Sequence, residues 1–309
     1  MRPRPRHLRA TLFSLLGLAA TVGAAASASA CGGSAAAAGT AAARRPDALP
    51  DDHGLRGPLL WEVQGPTATS YLFGTLHLGF RADRELPRWV WDKLGACDTF
   101  VMEADIGAVD VVQVAQLASL PDGQSLSDML PAESWKQLVE MTGVAESSLR
   151  TRQPWFAAEL LFERLYPTPV PLDLALMQRA SELKKEVVFL EDWKFQLELL
   201  PRIFTADDLG ELLGPEPKGR RLMDELIQAY RAGDLEKLAA IASEDLGDDP
   251  ERHELLVAGR NRNWIPKLKP HLARGRTFVA VGAAHFPGDD GLIELLRAEG
   301  YVLSRVVAP

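Results

Sequence analysis

Four short runs of consecutive apolar residues most constrain the fold of this chain. They read "YLFG", "TFVM", "VVFL" and "FVAV", and none alternates between apolar and polar residues. Strands that are apolar at successive positions are typical of sheets covered on both faces by helices. Amphipathic patterns such as "LALMQRASELKK" lie between the runs. We therefore predict an α/β or α+β domain: a mixed central sheet from two β/α halves, flanked by helices, with a helical insertion.

The segments around the first and the last apolar run predict the order of strands and helices at the two ends of the domain. In "LLWEVQGPTATSYLFGTLH" a Gly-Pro turn separates two strand-like segments, which predicts a β-hairpin. The chain closes with the strand "TFVAVG", the helical segment "DGLIELLRAEG" and the strand "YVLSRVV". Strand–helix–strand units are therefore expected at both ends of the domain.

The N-terminal segment differs in composition from the rest. Basic "MRPRPRHLRA" precedes apolar "TLFSLLGLAATVGAAA", which predicts a signal peptide over residues 1–30. Ala28-Ser29-Ala30 fits ordinary signal peptidase, whereas the same residues before Cys31 resemble a bacterial lipobox, with Ala28 in place of the usual Leu. We expect an exported protein, periplasmic or on the cell surface, anchored to the membrane only by a lipid on Cys31. We predict that residues 31–54 form a disordered tether, because they lack large apolar side chains. Residues 55–309 are then expected to form the folded domain.

Composition and charge exclude several function classes. The chain has 309 residues, 47% hydrophobic and 25% charged, with a net charge of −8. Outside the leader it has no Lys/Arg block, so we expect no nucleic-acid partner. It also has no Ser-centred nucleophile elbow, P-loop or dinucleotide fingerprint. The second cysteine, Cys97, is expected to be a small buried residue.

Each of the four apolar runs is followed by a side chain able to bind metal or carry a proton. These are His77, Glu103, Glu191 and His285. The carboxyl ends of parallel strands meet at one edge of a sheet, where ligands bind in open α/β folds. Two neutral imidazoles and a carboxylate suit a divalent transition metal such as Zn²⁺ or Mn²⁺. A metal-bound water, with a second carboxylate to take its proton, describes a hydrolase site.

Both histidines come three residues after a glycine, Gly74 in "GTLH" and Gly282 in "GAAH". A glycine after a buried strand permits either a turn with positive φ or a close approach of two backbones. Either geometry brings the following histidine into the crevice beyond the strands.

Further polar residues are candidates for the same crevice. Asp173 either faces it or caps the helix that begins at "LALMQRASELKK". Glu191 is a candidate metal ligand, base or supporting group. Arg260 and Asn261, on a predicted helix, are candidates to orient a substrate carbonyl or carboxylate. Trp155 and Trp264 are expected in the core or lining a groove.

Six blocks of the sequence, in order, resemble the TraB/GumN family over most of residues 58–307. They are "YLFGTLHLG", "FVMEAD", "RQPWFAAELL", "PLDLALMQRASELKKEVVFLEDWKFQLELL", "GRNRNW" and "VAVGAAHFPGDDGLIELLRAEGY". "AAHFPG" departs from the usual Ala-Leu-His-Leu-x-Gly, and Pro-Leu-Asp replaces Gly-Ile-Asp. The family is more distantly similar to erythromycin-esterase-like and ChaN-like proteins.

The resemblance implies a metal-dependent hydrolase, since some animal members, the TIKI proteases, have peptidase activity. Its proposed active residues correspond to His77, Glu103 and His285, which would hold Mn²⁺, Zn²⁺ or Co²⁺. Three functions stay open from the sequence. The first is a metal-dependent hydrolase of peptides or small molecules. The second is a metal-free, esterase-like hydrolase with a histidine base, and the third an envelope lipoprotein that binds haem, iron or another ligand.

Overall fold

The computed structural model describes residue 55 and residues 57–213, 218–246 and 249–307. The predicted signal peptide, the lipidation site at Cys31 and the tether lie outside these described residues. Within the described ranges, no helix combines the length and the apolar character that crossing a membrane requires.

Six strands form one mixed sheet. They are β1 (Leu60–Gln64), β2 (Thr69–Thr75), β3 (Thr99–Met102), β4 (Glu186–Phe189), β5 (Thr277–Gly282) and β6 (Val302–Arg305), in the spatial order β4-β3-β5-β2-β1-β6. The strands β4, β3, β5 and β2 run parallel. β1 is antiparallel to both β2 and β6, which confirms the predicted hairpin.

Helices connect all the strands except β1 and β2. α1 (Ala82–Glu85) and α2 (Arg88–Ala96) precede β3. Between β3 and β4 lie α3 (Val111–Leu117), α4 (Leu126–Met129), α5 (Ala132–Thr142), α6 (Glu146–Leu149), α7 (Pro154–Leu165) and α8 (Leu172–Glu182). Between β4 and β5 lie α9 (Trp193–Ile203), α10 (Ala206–Leu212), α11 (Lys218–Ala232), α12 (Leu235–Leu246), α13 (Pro250–His253) and α14 (Gly259–Arg274). α15 (Leu292–Ala298) joins β5 to β6. The α/β class and the helical insertion are as predicted.

Burial of the strands follows the apolar runs, with one exception. Every residue of β3 and β5 is buried, and Phe278 of β5 packs against Phe73 and Phe100 of the neighbouring strands. The prediction that "VVFL" is buried on both faces is wrong for its first three residues, whereas Leu190, just beyond the strand, is fully buried. Its strand, β4, lies at the edge of the sheet with one strand neighbour, so its residues are only half-buried or exposed. Cys97 is buried, as expected.

The four parallel strands end within two residues of one another. Thr75 of β2 lies opposite Gly282 of β5, and Met102 of β3 lies opposite Ala280 of β5 and Phe189 of β4. The segments that follow these strands therefore leave the sheet at the same edge, as the sequence predicted.

Candidate active site

Close backbone packing explains the first Gly-x-x-His glycine. A Cβ on Gly74 would lie 3.2 Å from both Cα and Cβ of Ala283, in the turn that carries His285. Neither Gly74 nor Gly282 has a positive φ. The glycine at position 74 therefore serves the close approach of β2 to the segment after β5, and not a left-handed turn. This contact brings the two Gly-x-x-His segments side by side.

His77 is buried and held by a carboxylate. Its Nδ1 lies 2.6 Å from Oδ2 of Asp173, whose Oδ1 accepts a hydrogen bond from the Thr75 hydroxyl at 2.9 Å. Burial alone would raise the pKa of Asp173, but the charge of His77 and the hydrogen bonds from His77 and Thr75 outweigh it. The pKa of the carboxyl is therefore lowered. An ionised Asp173 accepts the proton on Nδ1 of His77, so Nε2 is the ring nitrogen at which His77 can gain or lose a proton.

The alternative position for Asp173, as a helix cap, is wrong. Pro171 precedes α8, and Asp173 lies inside its first turn. Its side chain contacts residues at the end of β2, 98 and 96 positions away in the chain, so it faces the crevice.

Glu103, Glu191, Gln196 and Arg260 form a buried group that we call the arginine cluster. Arg260 Nη2 donates to Oε2 of Glu103 at 2.5 Å, and Arg260 Nε donates to Oε1 of Glu191 at 3.0 Å. The Gln196 amide donates to both carboxylates, at 3.0 and 2.6 Å. A buried guanidinium thus holds two carboxylates from adjacent strands.

The charges in the arginine cluster depend on one another. Burial raises the pKa of Glu103, while the guanidinium of Arg260 acts to lower it. Three donors converge on this carboxylate, from Arg260, Gln196 and the Gly282 backbone N–H, and they suit its ionised form. Burial acts to lower the pKa of Arg260, but the two carboxylates outweigh it and the pKa is raised. Arg260 is therefore charged, and its positive charge compensates the two carboxylates of the arginine cluster.

A π-helical turn over Glu254–Ala258 precedes α14 and sets the position of Arg260. A Cβ on Gly259 would lie 2.7 Å from the Glu254 carbonyl oxygen, so this turn needs a glycine. Arg260 Nη1 donates back to the carbonyl of Leu256 at 3.2 Å. Irregular turns of this kind often occur at functional sites.

His285 is fully buried and neutral. The Asn261 amide donates to the carbonyls of His285 and Asp290, at 3.1 and 2.7 Å, so its Oδ1 faces Nδ1 of His285 at 2.7 Å and accepts that proton. Nε2 then carries the lone pair and accepts from Arg260 Nη1 at 3.1 Å. Burial, followed by the charges of Arg260 and His77, holds the pKa of His285 well below its usual value. Asn261 is therefore a positioning residue for His285.

Trp264 completes the surroundings of His285. Its ring lies 4.4 Å from that of His285, and its Nε1 donates to Oε2 of Glu191 at 3.0 Å. Trp264 and Trp155 are both fully buried, as expected from the sequence. Thr75 and Gln196 are residues that the sequence did not single out. Thr75 lies inside "GTLH", but Gln196 lies on α9 and carries no local signal.

The predicted metal ligands lie at one edge but do not form a three-ligand set. Oε1 of Glu103 lies 3.9 Å from Nε2 of His285, while Arg260 contacts both the lone pair of His285 and Oε2 of Glu103. Among the described residues, no group of three or more His, Cys, Asp or Glu side chains is placed to hold a metal ion. The donor chemistry suits a transition metal, but a guanidinium cation contacts two of the donors, so the arrangement does not fit one.

Comparison with known proteins gives the family. The model of the TraB/PrgY/gumN family matches residues 59–305, which run from the first strand of the sheet, β1, to the last, β6. The chain belongs to this family. It is 26% identical over 249 residues to YbaP of Shigella flexneri, covering 74% of this chain and 88% of that protein.

Animal relatives are also similar. The metalloprotease TIKI2 of Danio rerio is 25% identical over 318 residues, and the metalloprotease TIKI1 of the same fish is 25% identical over 325 residues. The alignments cover 78% and 81% of this chain but only 60% and 63% of those longer proteins. No solved structure matches the chain.

Proposed function

We propose that this TraB/PrgY/gumN protein is a hydrolase, most simply a peptidase, in which His77 is the general base. One observation carries the proposal: the 2.6 Å contact between Nδ1 of His77 and ionised Asp173. A carboxylate in this position orients the imidazole, fixes its tautomer and stabilises the charged ring once it has taken a proton. The names of the TIKI relatives support proteolysis as the reaction class.

The proposed step uses residues of this chain only. His77 Nε2 takes a proton from water while the water oxygen bonds to the carbonyl carbon of a peptide or ester. Asp173 accepts the Nδ1 proton throughout and is a positioning residue. Arg260 is a positioning residue too, because each of its three nitrogens already donates to Glu103, Glu191, His285 or the Leu256 carbonyl.

The sequence also predicted a divalent ion, Mn²⁺, Zn²⁺ or Co²⁺, and the TIKI names support metal dependence. His77, Glu103 and His285 are the residues that would hold it, and Arg260 contacts two of them in the described arrangement. Because that arrangement does not fit a metal, the proposed step does not depend on one.

Hydrolysis and metal dependence are tested together. Protein purified without chelator is assayed on fluorogenic peptides and on activated esters, before and after EDTA, with its metal content measured by mass spectrometry. We expect hydrolysis that persists in the metal-free protein, because the base and its carboxylate belong to the chain. Loss with EDTA and recovery with Zn²⁺, Mn²⁺ or Co²⁺ would instead favour the metal-dependent form. No hydrolysis, together with haem or iron binding, would favour a ligand-binding role.

Export and lipidation are a separate part of the proposal. The pattern of residues 1–31 supports a protein on the outer side of the cytoplasmic membrane, anchored through Cys31. The substrates that we propose, peptides or small molecules, follow from the hydrolase proposal, and the lack of a Lys/Arg block outside the leader supports the absence of a nucleic-acid partner. Labelling with a palmitate analogue in a bacterial host should mark the wild-type protein, and Cys31→Ser should lose the label. An equally labelled Cys31→Ser variant, or a wild type without label, would contradict lipidation.

A further inference from the structure

Helix α11 contacts both ends of the segment that carries His77. We call this segment, residues 74–79, the histidine turn. The buried hydroxyl of Tyr230 donates to the Gly74 carbonyl at 2.9 Å. At the other end of the turn, Nη2 of Arg231 donates to the Gly79 carbonyl at 3.0 Å. Two neighbouring residues near the end of α11 therefore hold the backbone on either side of the proposed base.

Side-chain packing holds the same helix against the turn. Gly79 has a φ of +69°, and a Cβ there would meet Cδ1 of Ile227. Ile227 lies one helical turn before Tyr230 and on the same face of α11. Gly79 thus permits both the left-handed backbone and the close approach of the helix. The ring of Phe80, next in the chain, packs edge-to-face on that of Tyr230, with the ring centroids 5.7 Å apart.

The segment that leads to Asp173 holds the histidine turn from another side. The Gly79 N–H donates to the Thr168 hydroxyl at 3.0 Å, and this hydroxyl donates to the Tyr166 carbonyl at 2.9 Å. The Tyr166 hydroxyl in turn donates to Asp224 of α11 at 2.8 Å. One hydrogen-bonded network therefore joins the histidine turn, α11 and the chain before α8.

The contact between His77 and Asp173 depends on this arrangement. The two side chains come from different parts of the chain, so their 2.6 Å contact requires the histidine turn to keep its place relative to α8. Hydrogen bonds weaken steeply as their geometry is disturbed, and a displacement of about 1 Å in an active site can cost about 100-fold in rate. A buried Gly74 carbonyl that lost the Tyr230 hydroxyl would leave one end of the turn less firmly held.

We propose that Tyr230 is a positioning residue for His77: its hydroxyl, through the Gly74 carbonyl, holds the histidine turn where the imidazole meets Asp173. The inference rests on the proposed role of His77 as general base. Tyr230 acts only through the backbone that it binds, and no proton of the reaction passes through it.

Tyr230→Phe tests this role, because it removes the hydroxyl and keeps the ring that packs on Phe80. On a fluorogenic peptide that the wild type hydrolyses, we expect kcat to fall about 10-fold with KM unchanged, since substrate binds but the base is misplaced. Tyr301→Phe is the matched control. The Tyr301 hydroxyl also donates to a backbone carbonyl, that of Lys269 at 3.3 Å, but at the start of β6 and so at the opposite edge of the sheet. This control should keep wild-type kinetics.

A second measurement needs no substrate. In protein carrying isotopically labelled histidine, the Nδ1–H proton that His77 donates to Asp173 should give a downfield NMR signal, assigned by its loss in His77→Gln. We expect Tyr230→Phe to move this signal upfield or to broaden it by exchange with water. Tyr301→Phe should leave it in place. Circular dichroism confirms that both variants are folded at the temperature of the measurement.

The outcomes separate the inference from the proposed function. Wild-type kcat or an unchanged His77 signal in folded Tyr230→Phe would each overturn the inference, and so would a rise in KM alone. If His77→Gln keeps wild-type activity, the proposed function fails, and the NMR signal alone then decides whether Tyr230 positions the ring.

Discussion

Replacing Arg260 with Met is expected to lower the free energy of unfolding by about 3–5 kcal/mol. The methionine fills most of the same space, but Glu103 and Glu191 lose the cation that they share. The two carboxylates would then keep only uncharged donors. Gln196 donates to both of them, the Gly282 N–H to Glu103 and the Trp264 indole to Glu191. For a chain of this size the loss corresponds to a melting temperature lower by about 10 °C. Urea denaturation followed by circular dichroism measures it.

Arg262 provides the control on the same helix. It pairs with Glu254 and has a side chain that is 48% exposed, so Arg262→Met should cost less than about 1 kcal/mol. Adding Glu103→Gln to Arg260→Met should recover part of the loss, because one uncompensated charge is removed. An Arg260→Met variant as stable as Arg262→Met would mean that the arginine cluster does not stabilise the site.

Replacing Asp173 with Asn is expected to lower kcat/KM by about 10²- to 10⁴-fold with little change in KM. An amide in this position can donate to Nδ1 of His77, which would put the ring proton on Nε2 and remove the base. The wild-type contact at 2.6 Å specifies the opposite tautomer. Steady-state kinetics on the substrate found in the screen measure the loss.

Glu182→Gln is the matched control for that variant. Glu182 lies at the end of the same helix, with a side chain that is 53% exposed, and pairs with Arg179. It should keep wild-type kinetics. If Asp173→Asn loses no more activity than Glu182→Gln, then Asp173 does not hold the base.

The side chains at the functional edge of the sheet could be predicted, because each of them follows its strand directly in the sequence. Each apolar run ends in a side chain of suitable chemistry, and parallel strands carry such ends to one edge. His77, Glu103, Glu191 and His285 all follow the strands expected for them. The burial of β4 was not predictable from the run "VVFL", because an edge strand and a central strand share the same apolar pattern. Their difference depends on the order of strands in the sheet.

The partners of these side chains come from distant parts of the chain. Arg260 is 157 residues from Glu103 and 69 from Glu191, and an arginine on a helix is by default expected at the surface. Its burial depends on the π-helical turn before it and on Gly259, whose need for a glycine appears only in three dimensions.

The role of His77 is tested most directly by kcat/KM of His77→Gln beside the wild type on one substrate. Glutamine can still donate to Asp173, so the buried carboxylate keeps a partner, but it cannot take a proton from water. We predict a loss of at least about 100-fold with an unchanged circular dichroism spectrum. A folded His77→Gln variant within about threefold of the wild type would contradict the account, because general-base catalysis contributes far more than that.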